Sequence, residues 1–275
     1  MHTTCSDGSE SLSKVLCLCE QCKLEIISIT DHDTVKAYFE LQDPKVRSLF
    51  SGKILPGVEI STTCDSNNID LLGYGIDYEK IDKLIKHVTS AEKTGYRTTH
   101  LVENLKTFGI NVGHIATWRD IYPELVSKHK DFLDSIDPDL ATGLTTFLRR
   151  AMCNKSSPLF VDTSELCMSV DEVIKIIHDC GGLVFLAHPS QYYEHLDQIL
   201  QSLKGKIDGI ENFHYSTTAK QSKFFLDYCN KNKLFISGGS DFHGALRPHI
   251  EIGHGCSNIP KDLITNWLDE GKLLR

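Results

Sequence analysis

The sequence predicts an α/β protein whose strand–helix repeats close into a barrel of the TIM type, interrupted by a small, mostly helical insertion. Apolar strand-like runs recur at residues 24–29, 53–60, 183–187 and 234–236, and each ends in or leads into His, Asp or Glu side chains. Amphipathic helical patterns alternate with most of these runs. Residues 110–165 carry aromatic, charged and proline punctuation but no strand that ends in a ligand-type side chain. Repeated βα units of this kind place chemistry at the C-terminal ends of the strands.

Bulk properties narrow the function classes. A chain of 275 residues accommodates one large α/β domain or a domain with an insertion. The net charge of −8 argues against duplex DNA as a partner, because a DNA footprint is basic. A phosphorylated substrate stays compatible, since bound divalent cations reverse the local field. No apolar run approaches the roughly 18 residues of a membrane span, so no membrane role is expected. No signal-peptide pattern opens the chain, and a cytoplasmic location is expected. Of the ten cysteines, Cys17, Cys19 and Cys22 resemble a zinc cluster in spacing. They fall in a helical pattern where the three cannot face one ion, so reduced, scattered thiols are expected.

The chain begins Met1-His2-Thr3-Thr4-Cys5-Ser6-Asp7-Gly8, with His2 and Asp7 as candidate site residues. Ser11 is a helix cap for a helix to about Cys22. Strand 24–29 exits into Asp31-His32-Asp33. A helix over 35–41, a break at Pro44 and a second short helix lead to strand 53–60, which contains Glu59. Asn67-Asn68 signals a hairpin before a strand through Asp70. Residues 79–108 read as helical, with Ile81, Leu84, Ile85 and Val88 on one stripe. Ser169 caps a helix to Cys180, and strand 183–187 reaches His188-Pro189. Strand 207–211 and a helix near 224–230 follow. Strand 234–237 then leads into Gly239-Ser240-Asp241-Phe242-His243, and a last helix covers 263–268.

These motifs, taken in order, resemble those of the PHP group, the polymerase and histidinol phosphatase proteins. His2 and Asp7-Gly8 match the second half of its first motif, and Ile29-Thr30-Asp31-His32-Asp33 its second. Gly57-Val58-Glu59, Ala187-His188-Pro189 and Gly239-Ser240-Asp241-Phe242-His243 match the others. The resemblance covers residues 1–108 and 165–255. It implies a distorted (β/α)7 barrel in two parts, 1–108 and 166–275, around an insertion at 109–165. It also implies a cluster of two or three divalent ions, with Mn, Zn or Fe as candidates.

Neutral imidazoles and carboxylates suit such ions and select only weakly among them. The expected ligands are His2, Asp7, His32, Glu59, Asp70, His188, Asp241 and His243. Glu59 is the bridging carboxylate, and Asp241 both ligates and moves protons; these two are the catalytic candidates. Asp31 and Asp33 are expected to orient imidazoles from behind. Candidate substrate contacts are His214, with a satisfied core histidine as the alternative, and Arg149 and Arg150, with a solvated face as the alternative. Gln191 stands where the nucleotide-acting branch often has an arginine.

Two departures from the family pattern stand out. The pattern has a histidine two places before His2, a place that precedes Met1, so an internal methionine as the start and a missing first strand are expected. Asp70 stands where related phosphatases usually have a histidine. The expected function is hydrolysis, by metal-activated hydroxide, of a small phosphorylated substrate such as a nucleotide or short oligonucleotide end. The alternatives are a histidinol-phosphate-type phosphatase and a degenerate, non-catalytic protein that binds metal or phosphate.

Overall fold

The computed structural model describes residues 1–65, 67–113, 116–255 and 259–274. The chain divides into two compact units. One comprises Met1–Thr62, Ile69–His87 and Met168–Arg275; the other comprises Thr63–Asn68 and Val88–Cys167.

The first unit opens with a turn over residues 4–7 and helix α1 (Leu12–Gln21), whose Ser11 side chain accepts a hydrogen bond from the Lys14 N–H. Leu12, Val15, Leu16 and Cys19 bury one face of α1, which puts Cys19 in the core and settles its role as packing. Strand β1 is only Ile26–Ile27, and α2 covers Lys36–Glu40. Pro44 starts helix α3 (Pro44–Arg47) rather than breaking one, because a proline at the first helical position lacks only a donor that would be unused.

The expected strand over 53–60 is two strands, β2 (Lys53–Ile54) and β3 (Gly57–Cys64). Pro56 separates them; its ring cannot donate to a ladder, and its carbonyl instead accepts from the Gly75 N–H. The Asn pair expected in the hairpin turn lies within β4 (Asn67–Tyr74), while Asp65 takes the left-handed backbone conformation at φ +49. Helix α4 (Tyr78–Ile81) completes this part.

Two strand sets form. Strands β1 and β2 pair in parallel. A six-stranded sheet runs β5 (Met168–Ser169), β3, β4, β6 (Leu183–Leu186), β7 (Gly209–His214), β8 (Phe235–Gly239). The fold is therefore mixed α/β with a central sheet. Neighbours β6, β7 and β8 are parallel as βα repeats require, but β4 meets β6 antiparallel. A parallel bridge between His32 and Glu59 links the exit of β1 to β3.

In the second unit, helix α5 (Ser90–Thr107) starts at a capping box in which Thr89 and Glu92 satisfy each other's backbone N–H groups. That restart divides the expected 79–108 helix after α4. Helices α6 (Trp118–Lys128), α7 (Lys130–Ile136) and α8 (Leu144–Phe147) follow. Leu101, Leu105, Trp118, Ile121, Leu125 and Phe147 form a core of this unit's own. Back in the first unit come α9 (Val170–Asp179), boxed by Ser169 and Glu172, α10 (Leu196–Ser202), α11 (Ala219–Asn232) and α12 (Lys261–Thr265). No described helix is long and apolar enough to cross a membrane.

Candidate metal centre

The first unit gathers its ionisable side chains at the strand exits, as the C-terminal ends of strands in α/β folds do. Tyr38, on α2, holds two of these exits together. Its buried hydroxyl donates to the Ile29 carbonyl at 2.7 Å and accepts from the Gly57 N–H at 2.8 Å. The Asp33 N–H reaches the Glu59 carbonyl at 2.8 Å and the Glu59 N–H reaches the Asp31 carbonyl at 3.3 Å. These contacts lock His32 and Glu59 side by side. At the start of the chain, the His2 N–H donates to the Phe242 carbonyl and the Thr30 N–H to the Met1 carbonyl. His2 is thus suspended between the exits of β1 and β8.

Asp31 is used to shape the first turn. It accepts from the Thr3 N–H and Thr3 hydroxyl at 2.7 Å each and from Ser6 at 2.5 Å, so it acts on His2 and Asp7 through the backbone between them rather than through an imidazole hydrogen bond. Asp33 accepts from the Ser61 N–H at 3.0 Å, two residues beyond Glu59.

The donor atoms converge in three groups: His2, Asp7, His32 and His243; His2, Glu59 and Asp241; and His32, Glu59 and Asp70. Within each group they lie no more than 4.8 Å apart. Glu59 joins the last two, His2 the first two, and His32 the first and third. One oxygen of Glu59, Oε2, stands 3.2 Å from His2 Nε2, and the other, Oε1, stands 3.1 Å from His188 Nε2. Asp70 Oδ2 is 3.4 Å from the same His188 nitrogen. Asp7 Oδ1 lies 3.3 Å from His243 Nε2.

Whether these residues suit divalent ions can be judged from their unused atoms. Both ring nitrogens of His2, Nδ1 of His32, Nε2 of His243 and Oδ1 of Asp7 are buried and make no hydrogen bond. Orphaned buried polar atoms are costly, and a set of them converging on one volume fits ions that would use their lone pairs. His243 supports this directly: its Nδ1 lies 2.8 Å from the Asp241 carbonyl, which can only accept, so the proton sits there and Nε2 keeps a free lone pair.

Opposite charges in this group hold one another in the ionised form. Burial works to lower the His2 pKa, but the carboxylates of Asp241 and Glu59 outweigh it and raise it to about 10. Burial and the charge on His2 push His243 down, so it stays neutral. Burial alone would raise Asp7, Glu59 and Asp241; the imidazoles around the first two, and Arg247 and His2 at the third, hold all three well below the usual carboxylate range. Backbone strain is also concentrated here. Asp33, His188 and Asp241 have φ of +52, +29 and +51, left-handed values unfavourable for a side-chain-bearing residue.

Sequence reading does not find several residues that build this centre. Glu211, on β7, is buried, accepts from the His188 N–H at 2.8 Å, and is pushed up in pKa by burial. Gly239 makes room for it, since a Cβ there would come within 2.7 Å of Glu211 Oε1. Arg247 bonds Asp241 through Nη1 and Oδ2. Neither Glu211 nor Arg247 lies in a recognisable motif. His214 is fully buried; its Nδ1 is 2.7 Å from the Ser216 hydroxyl and its Nε2 3.5 Å from Asp241 Oδ2, which brings it to the centre. Gln191 is buried on the short turn after His188 and donates its backbone N–H to the His188 carbonyl. Arg149 and Arg150 belong to the second unit, where Arg150 pairs with Asp137 at 2.6 Å. A cavity of about 390 Å³ adjoins the donors, lined by His2, Glu59, His188, Asp241, Tyr74 and Trp267 among others.

An α/β unit with imidazoles and carboxylates interlocked through one glutamate resembles the PHP-type metal-dependent phosphoesterases. The chain matches no family model. It is similar to the 5'-3' exoribonuclease Rnm of Escherichia coli, 24% identical across 92% of this chain and 86% of that one. It is also similar to the 3',5'-nucleoside bisphosphate phosphatase of Chromobacterium violaceum, 24% identical across 100% of this chain and 96% of that one. Among solved structures, an amidohydrolase from Chromobacterium violaceum, with bound sulfate and no metal, shares the fold at a TM-score of 0.65. It is 20% identical and covers 100% of this chain and 95% of its own.

Proposed function

We propose that this protein is a metal-dependent phosphoesterase that hydrolyses a small phosphorylated substrate, a nucleotide or short oligonucleotide end. The observation that carries the proposal is the overlap of the three donor groups through His2, His32 and Glu59. Separate metal sites would not share ligands; a cluster must.

Bound divalent ions supply activation of water and neutralisation of phosphoryl charge. The chain's own residues do the rest. Glu59 offers one oxygen toward His2 and the other toward His188, which suits it to bridge. His2, Asp7, His32, Asp70, His188, Asp241 and His243 complete the set. Asp241 presents Oδ1 to the His2 side, 3.1 Å from Nε2, and is the candidate for proton movement. Asp31 and Asp33 hold the turns that carry the ligands.

In this reading the ions number two or three and are Mn, Zn or Fe, the unit is a distorted (β/α)7 barrel with residues 109–165 as its insertion, and the protein works in the cytoplasm. The names of the two sequence relatives support a nucleotide or oligonucleotide substrate. The test is metal content by elemental analysis, together with turnover on a panel of nucleotides and short oligonucleotides. The expected result is at least two ions per chain and release of phosphate or nucleotide that a chelator stops. Stable metal binding with no turnover of any phosphoester would overturn the enzymatic reading.

A further inference from the structure

Arg247 is absorbed by no motif, yet it contacts the centre of the site. It follows a short turn (Gly244–Leu246) that is pinned in place from several sides. The Ala245 N–H donates to the Ser9 hydroxyl at 2.7 Å, and the Ser9 N–H to the His243 carbonyl at 3.1 Å. Gly244 has φ +65, and a Cβ there would meet Ser9 Oγ at 2.2 Å, so the turn requires glycine. Pro248 keeps Arg247 out of the helical region, and its backbone stands at φ −134 and ψ 69. The side chain is delivered by design of the loop.

Its guanidinium divides in two. Nη1 bonds Asp241 Oδ2, leaving Oδ1 to face His2. Among the described residues, Nε and Nη2 make no hydrogen bond, and the side chain is 24% exposed. A guanidinium that spends one donor on a ligand carboxylate keeps others in a fixed plane beside it, a geometry suited to phosphoryl oxygens.

We propose that Arg247 is the phosphate-selecting residue of this site: it fixes Asp241 with one N–H and takes a non-bridging oxygen of a terminal phosphate dianion with the others. The inference rests on the phosphoesterase reading for its substrate, but not for its test. A carboxylate clamp alone would need only the first contact. The donors left over from Asp241 are what distinguish the two roles.

The experiment compares wild type with Arg247→Gln and Arg247→Lys, all loaded with metal. Inorganic phosphate binding is measured by calorimetry, metal content by elemental analysis, and kcat and KM on a nucleoside monophosphate and its methyl ester. Loss of a charge-assisted hydrogen bond predicts phosphate binding weaker by about 10- to 100-fold in Arg247→Gln, with metal content kept. KM for the monophosphate rises by a similar factor and that for the methyl ester rises less, whereas any fall in kcat from the loss of Asp241's partner is shared by both esters; Arg247→Lys recovers part of the loss. Unchanged phosphate affinity in Arg247→Gln overturns the inference, as does loss of metal with a matching fall in kcat, which would make Arg247 only a prop for Asp241. Should Arg247→Gln fail to fold, Arg247→Lys decides: a lysine cannot hold Asp241 and reach the phosphate together, so wild-type phosphate affinity overturns the inference. Phosphate binding requires no turnover. An inactive wild type that binds phosphate through Arg247 would refute the enzymatic reading alone, and a metal-loaded wild type that binds none would refute the inference.

Discussion

His2 Nε2 lies 3.1 Å from Asp241 Oδ1, although the two residues come from opposite ends of the chain. The contact depends on the backbone bond from the His2 N–H to the Phe242 carbonyl, which ties the first residues to the exit of β8. Two of the three donor groups combine residues that this closure brings together.

Because the donor groups interlock, removing one member should disable the cluster as a whole. His32→Ala and Asp241→Ala are each expected to abolish metal-dependent turnover and to weaken metal binding by at least about 100-fold, beyond the 10- to 100-fold typical of residues that only support ligands. Circular dichroism should stay as in wild type. Near-wild-type rates in both variants would remove the site assignment.

Metal loading should release a proton. The metal-free centre holds His2 charged because its pKa is raised to about 10, and a metal ion needs the neutral ring. Calorimetric titration with Zn²⁺ or Mn²⁺ at pH 8, in buffers of different ionisation enthalpy, is expected to show about one proton released on this account. No dependence on the buffer would contradict it.

The same shift makes the metal-free protein sensitive to alkali. A histidine raised from 6.5 to about 10 adds stability that is complete below pH 6.5 and is lost as pH rises through 10. On the acid side, Asp7, Glu59 and Asp241 are depressed, so their contribution is present above about pH 4 and is lost as pH falls below it. Thermal melts of chelator-treated protein across pH should show both limbs, and Asp241→Asn should make the acid limb shallower.

Tyr38→Phe tests the scaffold beneath the ligands. The hydroxyl serves Ile29, Leu55 and Gly57 at once in a buried position, and deleting it leaves backbone groups unsatisfied. The expected loss is about 1–3 kcal/mol in denaturant unfolding, with weaker metal binding because His32 and Glu59 are no longer locked together. Unchanged metal affinity would show that the bridge between His32 and Glu59 holds without Tyr38.

The ligand-bearing exits were legible because each combines a local apolar run with adjacent His, Asp or Glu, and both signals lie within a few residues. Strand limits were less legible. Pro56 divides one expected strand and the capping box at Thr89 divides one expected helix, local effects that an apolar stripe does not record. The roles of Asp31, Tyr38, Glu211 and Arg247 were not legible at all. Asp31 sits within a motif yet serves Thr3 and Ser6, and Tyr38 is a core aromatic by composition whose hydroxyl organises two strand exits.

The sequence by itself determined the α/β class and the chemistry of the donors, because residue type and strand period are local properties. Only the tertiary structure decided which donors converge, which carboxylate oxygen faces which imidazole, and that Arg247 reaches Asp241. Those are distances between segments far apart in the chain, set by how sheets and turns close on one another. Spacing along a sequence carries no record of that closure.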